Sequence, residues 1–480
     1  MPAPKIAMIG AGSVVFCKTL CTDIFGTPAL AGAEIALMSR TAPKLRRMEA
    51  FVRRMNADNG LDFKVSETLD RREALADADF VVVMIQVGGL DAYTFDYEIP
   101  LKYGVDQCIG DTLGPGGLFR ALRTIPVLID IAEDMAEVGK PGAIMLQYAN
   151  PMAANCLALG EAADVPFVGL CHGVQTTLDL ISGYVGVPKE HIAFTCGGIN
   201  HMDWFLTLAD RRTGDDLYSR LREVFERPEY YKNEKVRGEV LRQFGYFCTE
   251  STGHLSEYLP WFRKNRKALD LYCDEPAFGG ASGAYFKYSL ALRDKYAAHD
   301  PLEFETTAIS RSAEYCSYIL EAVVTARPFG FMGNVRNDGY ITNLPDGCCV
   351  EVPTFADATG LHPTTVGALP PQCAAACSSN VQEQILTALA ALEADPEAIV
   401  HAAAMDPLAG AVLTLKDTRD LCREMLEAER PWLPQFEGKS IRPTPTISIP
   451  PGCKPVAVPL DPALAINQRF GKLISQATGS

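Results

Sequence analysis

The stretch KIAMIGAGSVVF at residues 5–16 constrains the fold of this chain most strongly. An apolar run long enough for a buried strand ends at a glycine turn, and a helix-like segment follows. Gly10 permits a tight turn, and Gly12 lets backbone amides approach a pyrophosphate at the helix N-terminus. Val15 replaces the third glycine of the dinucleotide fingerprint, while Ser13 offers an additional phosphate donor. The motif predicts dinucleotide binding, with a plain strand–turn–helix connection as the alternative.

Four more apolar runs alternate with helix-like segments such as TAPKLRRMEAFVRRMN and GLFRALRTIPVLIDIAEDMAEVG. The runs are AEIALMSR, ADFVVVMIQVGG, GAIMLQYANP and PFVGLCHGV. This alternation predicts an α/β fold, a Rossmann-like doubly wound parallel sheet covered by helices on both faces. From about Ile199 onward, amphipathic helices mix with a strand-and-turn region, which predicts an α+β domain. We predict a dinucleotide-binding domain over 1–198, a substrate, metal and oligomerisation domain over 199–435, and a proline-rich arm over 436–480.

Composition narrows the classes of partner. The net charge of −15, with no basic stripe, argues against nucleic acids and anionic membranes. The N-terminus lacks a signal-peptide pattern and no segment is long enough to span a bilayer, so we expect a cytoplasmic protein whose 15 cysteines are reduced. The pairs Cys348–Cys349 and Cys373–Cys377 favour packing as small apolar side chains over metal binding.

The end of the second predicted strand bears on the choice of cofactor. An acid usually accepts hydrogen bonds from the adenosine ribose there, but this chain has Ser39 and Arg40. A hydroxyl and a guanidinium would favour binding of a 2′-phosphate, whereas a carboxylate would repel it. The hypothesis is that NADP is tolerated or preferred, and the alternative is that Arg40 is simply an exposed loop residue.

Polar residues fall at, or just beyond, several predicted strand ends. In a doubly wound sheet the carboxyl ends of the strands form the ligand crevice. A cysteine and a histidine in that crevice could converge on a metal ion, although either residue alone is more often structural. The residues are Asp111, Asn150, Cys171, His172, Asn200 and His201.

Seven motifs in order over about residues 3–435 resemble glycoside hydrolase family 4, most closely its bacterial α-galactosidase branch. They are IGAGS, GDTLGPGGLFRALRTIP, NPMA, GLCHGVQ, GINHM, GYFCTES and GNVRNDGYITNLPDGCCVEV. The resemblance implies NAD as cofactor, with NADP possible, and a divalent metal, usually Mn²⁺. It also implies a second domain like the C-terminal domain of lactate and malate dehydrogenases, and a homodimer or homotetramer.

The resemblance places the metal ligands on Cys171 and His201, beside the C2 and C3 oxygens of the sugar. It implies hydrolysis by oxidation at C3, deprotonation at C2, loss of the aglycone from C1, addition of water and reduction at C3. His172, directly after the cysteine, is typical of branches that act on unphosphorylated sugars. It is a candidate acid at the leaving oxygen, or alternatively a residue that orients the site. Gly173 replaces the serine usual in α-galactosidases, so α-glucosides, α-glucuronides and α-galacturonides remain alternatives to α-galactosides.

The family's C2 base falls in GYFCTESTGHLSEYLPW, where no tyrosine is clearly in register. Glu250 and His254 are the candidates, with Tyr258 as a weaker third. Asp111 could orient a metal-bound water or assist the base, or instead cap a turn. We expect Gln86, Gly88 and Gly89 to line the cofactor. Asn150 and Asn200 are expected to hold the substrate, and Asn150 also to contact the nicotinamide ribose. Arg336 and Asn337 either reach the cleft or form a hairpin.

Two other functions are compatible with the residues. A metal-independent 2-hydroxy-acid or sugar dehydrogenase would use His201 as a proton relay and would accumulate reduced cofactor. A catalytically silent sensor would keep the fold without turnover, although such a protein has no need of Cys171, His201 and Asn150 as a metal and sugar site.

Overall fold

A computed structural model describes residues 3–298, 302–303, 305–454, 456, 462, 470–471 and 476 of the chain. The strands are β1 (Lys5–Ile9), β2 (Glu34–Met38), β3 (Lys64–Thr68), β4 (Phe80–Val83), β5 (Ile144–Gln147), β6 (Phe167–Gly169), β7 (Ile192–Ile199), β8 (Met202–Asp210), β9 (Phe247–Cys248), β10 (Phe329–Arg336), β11 (Cys349–Asp357) and β12 (Gly360–Pro363). The helices are α1 (Phe16–Phe25), α2 (Ala42–Asp58), α3 (Arg71–Leu75), α4 (Gly89–Lys102), α5 (Gly114–Val138), α6 (Met152–Ala162), α7 (Gly173–Val185), α8 (Tyr218–Phe225), α9 (Pro228–Tyr231), α10 (Lys235–Phe244), α11 (Thr252–Tyr258), α12 (Arg266–Tyr272), α13 (Ala284–Ala298), α14 (Tyr315–Thr325), α15 (Pro371–Glu393), α16 (Pro396–Met405), α17 (Pro407–Val412) and α18 (Leu415–Ala428).

The first six strands form the parallel half of the sheet, in the order β3-β2-β1-β4-β5-β6. This order is that of doubly wound dinucleotide-binding domains. Ile6 and Met8 pack into one apolar cluster, whereas Ala7 and Ile9 pack into another. Since alternate residues of a strand point to opposite faces, both faces of β1 are buried. The predicted fold class is confirmed.

Strand β3 is absent from the sequence prediction. Its sequence KVSET has one fully buried residue, Val65, and polar residues at the other positions. It lies at the end of the strand order beside β2. An edge strand covered on only one face does not need the continuous apolar run by which the central strands are recognised.

The antiparallel half of the sheet joins the parallel half at β6. Gly169 on β6 pairs with Asn334 on β10, and Glu351 on β11 pairs with Gly198 on β7. The loop after β6 and the turn after β7 are therefore carried by neighbouring parts of one sheet. The predicted boundary at residue 198 falls at the end of β7, one residue before the turn into β8. The division into domains stays a prediction.

The described residues up to Arg442 form one compact unit, and those from Pro443 onward belong to another. Phe436 and Ile441, which fall in the predicted arm, are buried in an apolar cluster with residues of α5, α15 and α18. Residues 443–454 contain neither helix nor strand, as their prolines predict. Cys373 and Cys377 are buried among apolar side chains, as expected. No helix of the described residues has the length and apolar character needed to cross a bilayer.

A buried carboxyl group at the start of α17 makes stability depend on pH. Asp406 accepts a hydrogen bond from Ala409 N at 2.6 Å, and burial raises its pKa from 3.8 to about 7. Because the folded pKa is higher than the unfolded one, the acid's contribution is most favourable below about pH 4 and is lost as the pH rises through 7. We expect Asp406→Asn to raise the free energy of unfolding at pH 8 by about 2–4 kcal/mol. Urea unfolding should show this gain shrinking toward pH 4, and an equal gain at both pH values would contradict it.

Candidate active site

Two short connections carry the candidate metal ligands. Cys171 and His172 lie between the end of β6 and the start of α7. Asn200 and His201 form the two-residue turn between β7 and β8, and His201 has a φ of +64°. This left-handed conformation is uncommon outside glycine and is concentrated at functional sites. The turn holds the His201 imidazole in a buried position.

Among the described residues, one set of three metal-binding side chains comes together: His201, Glu250 and His254. One possible ligand atom from each lies within 4.8 Å of the others. His201 Nδ1 is 3.2 Å from His254 Nε2, and His254 Nδ1 is 3.4 Å from Glu250 Oε2. Cys171 is not part of this set. The structure thus brings both predicted C2-base candidates beside one of the two predicted metal ligands.

The three groups have different charges. Burial, and next the neighbouring His254, lower the pKa of His201 to about 3. Burial alone would lower the pKa of His254, but the hydrogen bond and charge of Glu250 raise it above the ordinary value. Burial would raise the pKa of Glu250, but the hydrogen bond from His254 and the imidazole charges lower it. Near pH 7 His201 is therefore a neutral imidazole, and Glu250 is a carboxylate that favours the imidazolium form of His254.

Thr112 and Tyr258 complete this polar cluster. Thr112 Oγ1 lies 2.8 Å from His254 Nε2 and accepts a hydrogen bond from Tyr258 Oη at 3.0 Å. Tyr258 Oη is also 3.4 Å from His201 Nδ1, so the weaker third candidate lies in the site as well. Thr112 was missed by the sequence prediction. Its only signal is its place in the motif GDTLGPGG, directly after Asp111.

Cys171 lies at the edge of the same cluster. Its Sγ accepts a hydrogen bond from Gly173 N at 3.4 Å. Cys171 Sγ and Glu250 Oε1 lie 3.5 and 3.4 Å from the point that a Cβ on Gly173 would occupy. Burial, and next the charges of Glu351 and Glu250, hold the thiol pKa well above its usual range. The thiol therefore stays protonated unless a cation lies beside it.

A buried acid pair supports the turn that carries His201. Asn200 Nδ2 donates a hydrogen bond to Glu351 Oε2 at 3.2 Å. The amide that is predicted to hold the sugar is therefore already engaged by Glu351. Burial raises the pKa of Glu351 and, together with the charge of Glu351, that of Asp203. Burial thus favours the protonated form of these two carboxyl groups. The signal was a carboxylate inside the apolar first half of each of two strands, β8 and β11, apart from the second acid at the end of each strand.

His172 is the exposed member of the group, with 51% of its side chain accessible. Its Nδ1 lies 3.5 Å from Glu314 Oε1 at the N-cap of α14. This interaction with Glu314 raises the pKa of His172 although burial opposes it. A protonated imidazole that reaches solvent has the properties of a proton donor.

Asp111 and Asn150 lie close together, but Asp111 does not follow a strand as predicted. It lies in the connection between α4 and α5, so that part of the prediction is wrong. Its Oδ2 accepts hydrogen bonds from Arg120 Nη1 at 3.3 Å and from Asn150 Nδ2 at 3.4 Å. Its buried Oδ1 has no partner within the described part of the chain, and it does not cap α5.

A cavity of about 590 Å³ opens beside the glycine turn, and three predicted cofactor residues, Gly10, Ser39 and Arg40, line it. Gly10 has a φ of +97°, and a Cβ there would lie 2.7 Å from Met84 O, so both the turn and the close approach require glycine. Gly12 is packed against Ser39 Oγ and Lys44, while Ser13 Oγ accepts a hydrogen bond from Phe16 N at 3.3 Å. The position of the turn beside a cavity of ligand size fits the dinucleotide prediction.

The remaining predicted residues lie outside this cavity. Gln86 is exposed, with Nε2 3.5 Å from Gly89 O. Gly88 is the N-cap of α4 and has a φ of +82°, and a Cβ there would lie 2.5 Å from Ala92 Cβ, so helix packing already explains its glycine. Arg336 forms an ion pair with Glu161, and the buried Asn337 donates to Ile341 O at 3.1 Å. Arg336 ends β10 and Asn337 begins the connection to the antiparallel β11, which fits the hairpin alternative.

Two family models cover most of the chain. The family 4 glycosyl hydrolase model matches residues 5–187, and the family 4 glycosyl hydrolase C-terminal domain model matches residues 196–409. The chain belongs to glycosyl hydrolase family 4. This membership confirms the sequence resemblance and supports a glycosidase.

Full-length relatives of the family 4 chain include two α-galactosidases. The alpha-galactosidase of Rhizobium meliloti (strain 1021) is 41% identical over 445 residues, which is 91% of this chain and 90% of the relative. The alpha-galactosidase of Bacillus subtilis (strain 168) is 38% identical over 441 residues, 90% of this chain and 100% of the relative.

Solved structures show the same fold. A 6-phospho-alpha-glucosidase from gut microorganisms, in complex with NAD and Mn²⁺, has a TM-score of 0.74 and 20% identity, over 89% of this chain and 98% of its own. The 6-phospho-beta-glucosidase of Thermotoga maritima with manganese, NAD⁺ and glucose-6-phosphate has a TM-score of 0.72 and 22% identity, over 89% of this chain and 99% of its own.

Proposed function

We propose that this chain hydrolyses unphosphorylated α-galactosides with the help of a nicotinamide dinucleotide and a divalent metal ion, of which Mn²⁺ is the first candidate. The two α-galactosidases with 41% and 38% identity over nearly the whole chain support the substrate class. The observation that carries the proposal is the cluster of His201, Glu250 and His254 beside Cys171, because it combines ligands for a metal with an acid–base pair.

The residues present fit both groups. The cavity at Gly10 has the size of a ligand site, and its glycine turn lies where a pyrophosphate binds in doubly wound sheets. His201 is neutral and offers its lone pair without losing a proton, and Cys171 needs an adjacent cation to become a thiolate. We therefore assign the metal to Cys171 and His201, with a soft sulfur and an imidazole as its protein ligands.

When bound, the dinucleotide and the metal supply reversible oxidation at C3 of the sugar and a Lewis-acid charge beside its C2 and C3 oxygens. Glu250 is ionised and serves as the base that takes the C2 proton. His254 holds Glu250 by its Nδ1–H and is itself fixed by Thr112, so that the carboxylate is oriented. Asn150 and Asp111 hold a sugar hydroxyl from the other side, for which the unpartnered Asp111 Oδ1 is an available acceptor.

His172 is assigned to the leaving group at C1. Its proton is held by the interaction with Glu314, and its exposure lets it meet an aglycone that extends into solvent. The same imidazole at the position after Cys171 is the reason for proposing a sugar without a 6-phosphate. Asn200 acts through Glu351 and supports the turn that positions His201.

A panel of 4-nitrophenyl α-galactoside, α-glucoside, α-glucuronide and α-galacturonide tests the proposal, with NAD or NADP, manganese and thiol present. We expect the highest kcat/KM on the galactoside, release of nitrophenol only with both cofactors, and no net change in nicotinamide absorbance. Accumulating reduced nicotinamide would indicate a dehydrogenase, and no cleavage of any substrate would favour the sensor. Preference for the glucoside or a uronide would replace the substrate assignment.

An isotope effect distinguishes C2 deprotonation from direct displacement at C1. With galactoside deuterated at C2, we expect hydrolysis to slow by about 1.5–3-fold, because breaking the C2–H bond then contributes to the barrier. Initial rates with labelled and unlabelled 4-nitrophenyl α-galactoside give the ratio. A ratio of 1.0 with deuterium at both C2 and C3 would contradict the proposed chemistry.

A further inference from the structure

The cavity beside Gly10 has an unusual distribution of charge for a site that is expected to receive the adenosine half of a dinucleotide. Four charged side chains line it, namely Arg40, Asp70, Arg71 and Asp130. Three of them are already paired. Asp70 Oδ1 accepts hydrogen bonds from Arg72 N at 2.8 Å and Glu73 N at 3.4 Å, and Arg71 interacts with Asp130 at 3.8 Å and with Asp134.

Arg40 is the exception. It is exposed at the cavity wall, and within the described residues it has neither an ion pair nor a hydrogen bond from its side chain. Among the four charged side chains of the cavity, Arg40 is thus the one without a partner in the described residues. The two carboxylates each have one, at Asp70 Oδ1 and at Asp130 Oδ2.

Ser39 lies at the end of β2, the position at which enzymes specific for NAD usually have an acid that binds the adenosine ribose. It directly follows β2, and Gly10 N and Ala11 N both donate to Met38 O, so the end of β2 lies against the glycine turn. Ser39 Oγ lies 3.0 Å from the point that a Cβ on Gly12 would occupy. A carboxylate at this position accepts hydrogen bonds from both ribose hydroxyls and repels a phosphate, whereas a serine hydroxyl can donate to one.

Lys44 adds a second cation at the same point. Its Cβ and Cδ lie 3.2 and 3.6 Å from the position of a Cβ on Gly12, so its side chain runs along the glycine turn next to Ser39. The side chain has no ion pair among the described residues. Lys44 also belongs to the first turn of α2, whose N-cap Thr41 makes no side-chain cap hydrogen bond. The amides at the start of α2 therefore add to the attraction for an anion.

We infer that Ser39, Arg40 and Lys44 form a binding site for the 2′-phosphate of NADP, so that this chain prefers NADP to NAD. The inference rests on the proposed use of a nicotinamide dinucleotide and adds the identity of the adenosine ribose substituent. A guanidinium, an ammonium and a hydroxyl together supply the charge and the donors that a phosphate dianion requires.

Binding of adenosine 2′,5′-bisphosphate and of 5′-AMP to the purified chain isolates the 2′-phosphate, because the two ligands differ only in that group. Isothermal titration without sugar or metal needs no enzymatic activity. We expect the bisphosphate to bind at least about tenfold tighter, consistent with charge-assisted hydrogen bonds to a phosphate, and the ratio to fall with added salt. NADPH and NADH, followed by their fluorescence, should show the same order.

Variants test the individual residues. Arg40→Ala and Lys44→Ala should each reduce the preference for the bisphosphate about tenfold and leave 5′-AMP binding within about twofold. Arg46→Ala changes an exposed arginine of the same helix that is neither in the cavity lining nor among the neighbours of Gly12, and it should leave both affinities unchanged. Ser39→Asp should reverse the preference toward 5′-AMP and NADH.

Equal binding of the two nucleotides, tighter binding of NADH, or an unchanged preference in Arg40→Ala would overturn the inference and leave the proposed glycosidase chemistry intact. Hydrolysis that proceeds without any dinucleotide would instead refute the proposed chemistry, while the measured binding preference would stand by itself. Failure of both nucleotides to bind, or of the bisphosphate alone, would also overturn the inference.

Discussion

Cys171→Ser should lower the affinity for Mn²⁺ by at least about 100-fold, because the loss of one of two protein ligands removes most of the site. Hydrolysis of an aryl α-galactoside should fall with it. Glu250→Gln should leave metal affinity within about threefold of the wild type and lower kcat by about 100–10,000-fold, the range expected for loss of a general base. The two variants thus separate a ligand from a base within one cluster.

The charges of the cluster are the reason for expecting different outcomes. His201 is neutral, so binding a cation there displaces no proton. Glu250 and His254 are an ion pair, and using them as ligands would require His254 to lose the proton that Glu250 stabilises. Cys171 gains most from a cation, because burial and neighbouring carboxylates otherwise keep its thiol protonated.

Metal affinity is measured by titrating Mn²⁺ into each variant and following the free ion by electron paramagnetic resonance. Dinucleotide binding, measured separately by fluorescence, should be nearly unchanged in both variants and would show that they are folded. Cys453→Ser, at an exposed cysteine, is the matched control for Cys171→Ser. Equal loss of metal affinity in Glu250→Gln and Cys171→Ser would contradict the assignment and would place the ion in the His201–Glu250–His254 set.

The sequence predicts those parts of the molecule that follow from local pattern. The apolar runs of β1, β2, β4, β5 and β6 predict a parallel sheet. The glycine at position 10 predicts the turn at a dinucleotide site, and its φ in the structure is positive, as such a turn requires. Strand β3 has no such run, because it lies at the edge of the sheet.

The contacts across the candidate site depend on tertiary structure and cannot be predicted from local sequence patterns. Thr112 and His254 are 142 residues apart and meet only because the α4–α5 connection folds over α11. Asp111 is predicted at a strand end but lies in that same connection. There its carboxylate accepts a hydrogen bond from Arg120, which belongs to the following helix, α5. The surroundings of Gly173 are likewise not predictable from the sequence. Nothing in the sequence indicates that the side chains of Cys171 and Glu250, which come from different elements, both lie next to this glycine.

The buried ion pairs of Arg123 should make it the residue of α5 whose loss affects stability most. Its Nη1 and Nη2 donate to Asp96 at 3.0 and 2.7 Å, its Nη1 also contacts Glu429, and the exposed fraction of all three side chains is at most 1%. Arg123 thereby joins α4, α5 and the segment after α18. Arg123→Met removes the only cation of this group and leaves two buried carboxyl groups behind.

We expect Arg123→Met to lower the free energy of unfolding by about 3–5 kcal/mol at pH 8, the cost of leaving a buried charge uncompensated. Burial raises the pKa of Glu429 above its unfolded value, and without Arg123 the folded state favours its protonated form further, so the loss should shrink as the pH falls toward 4. Arg72→Met is the matched control, because Arg72 also pairs with two acids, Asp134 and Glu137, at 2.6 and 2.8 Å, but is 48% exposed. Surface pairs of that kind contribute about 0–1 kcal/mol, so urea unfolding should separate the two variants clearly. If Arg123→Met cost no more than Arg72→Met, the buried group would add nothing to the stability of this fold, and the contact between α4, α5 and the chain after α18 would depend on apolar packing alone.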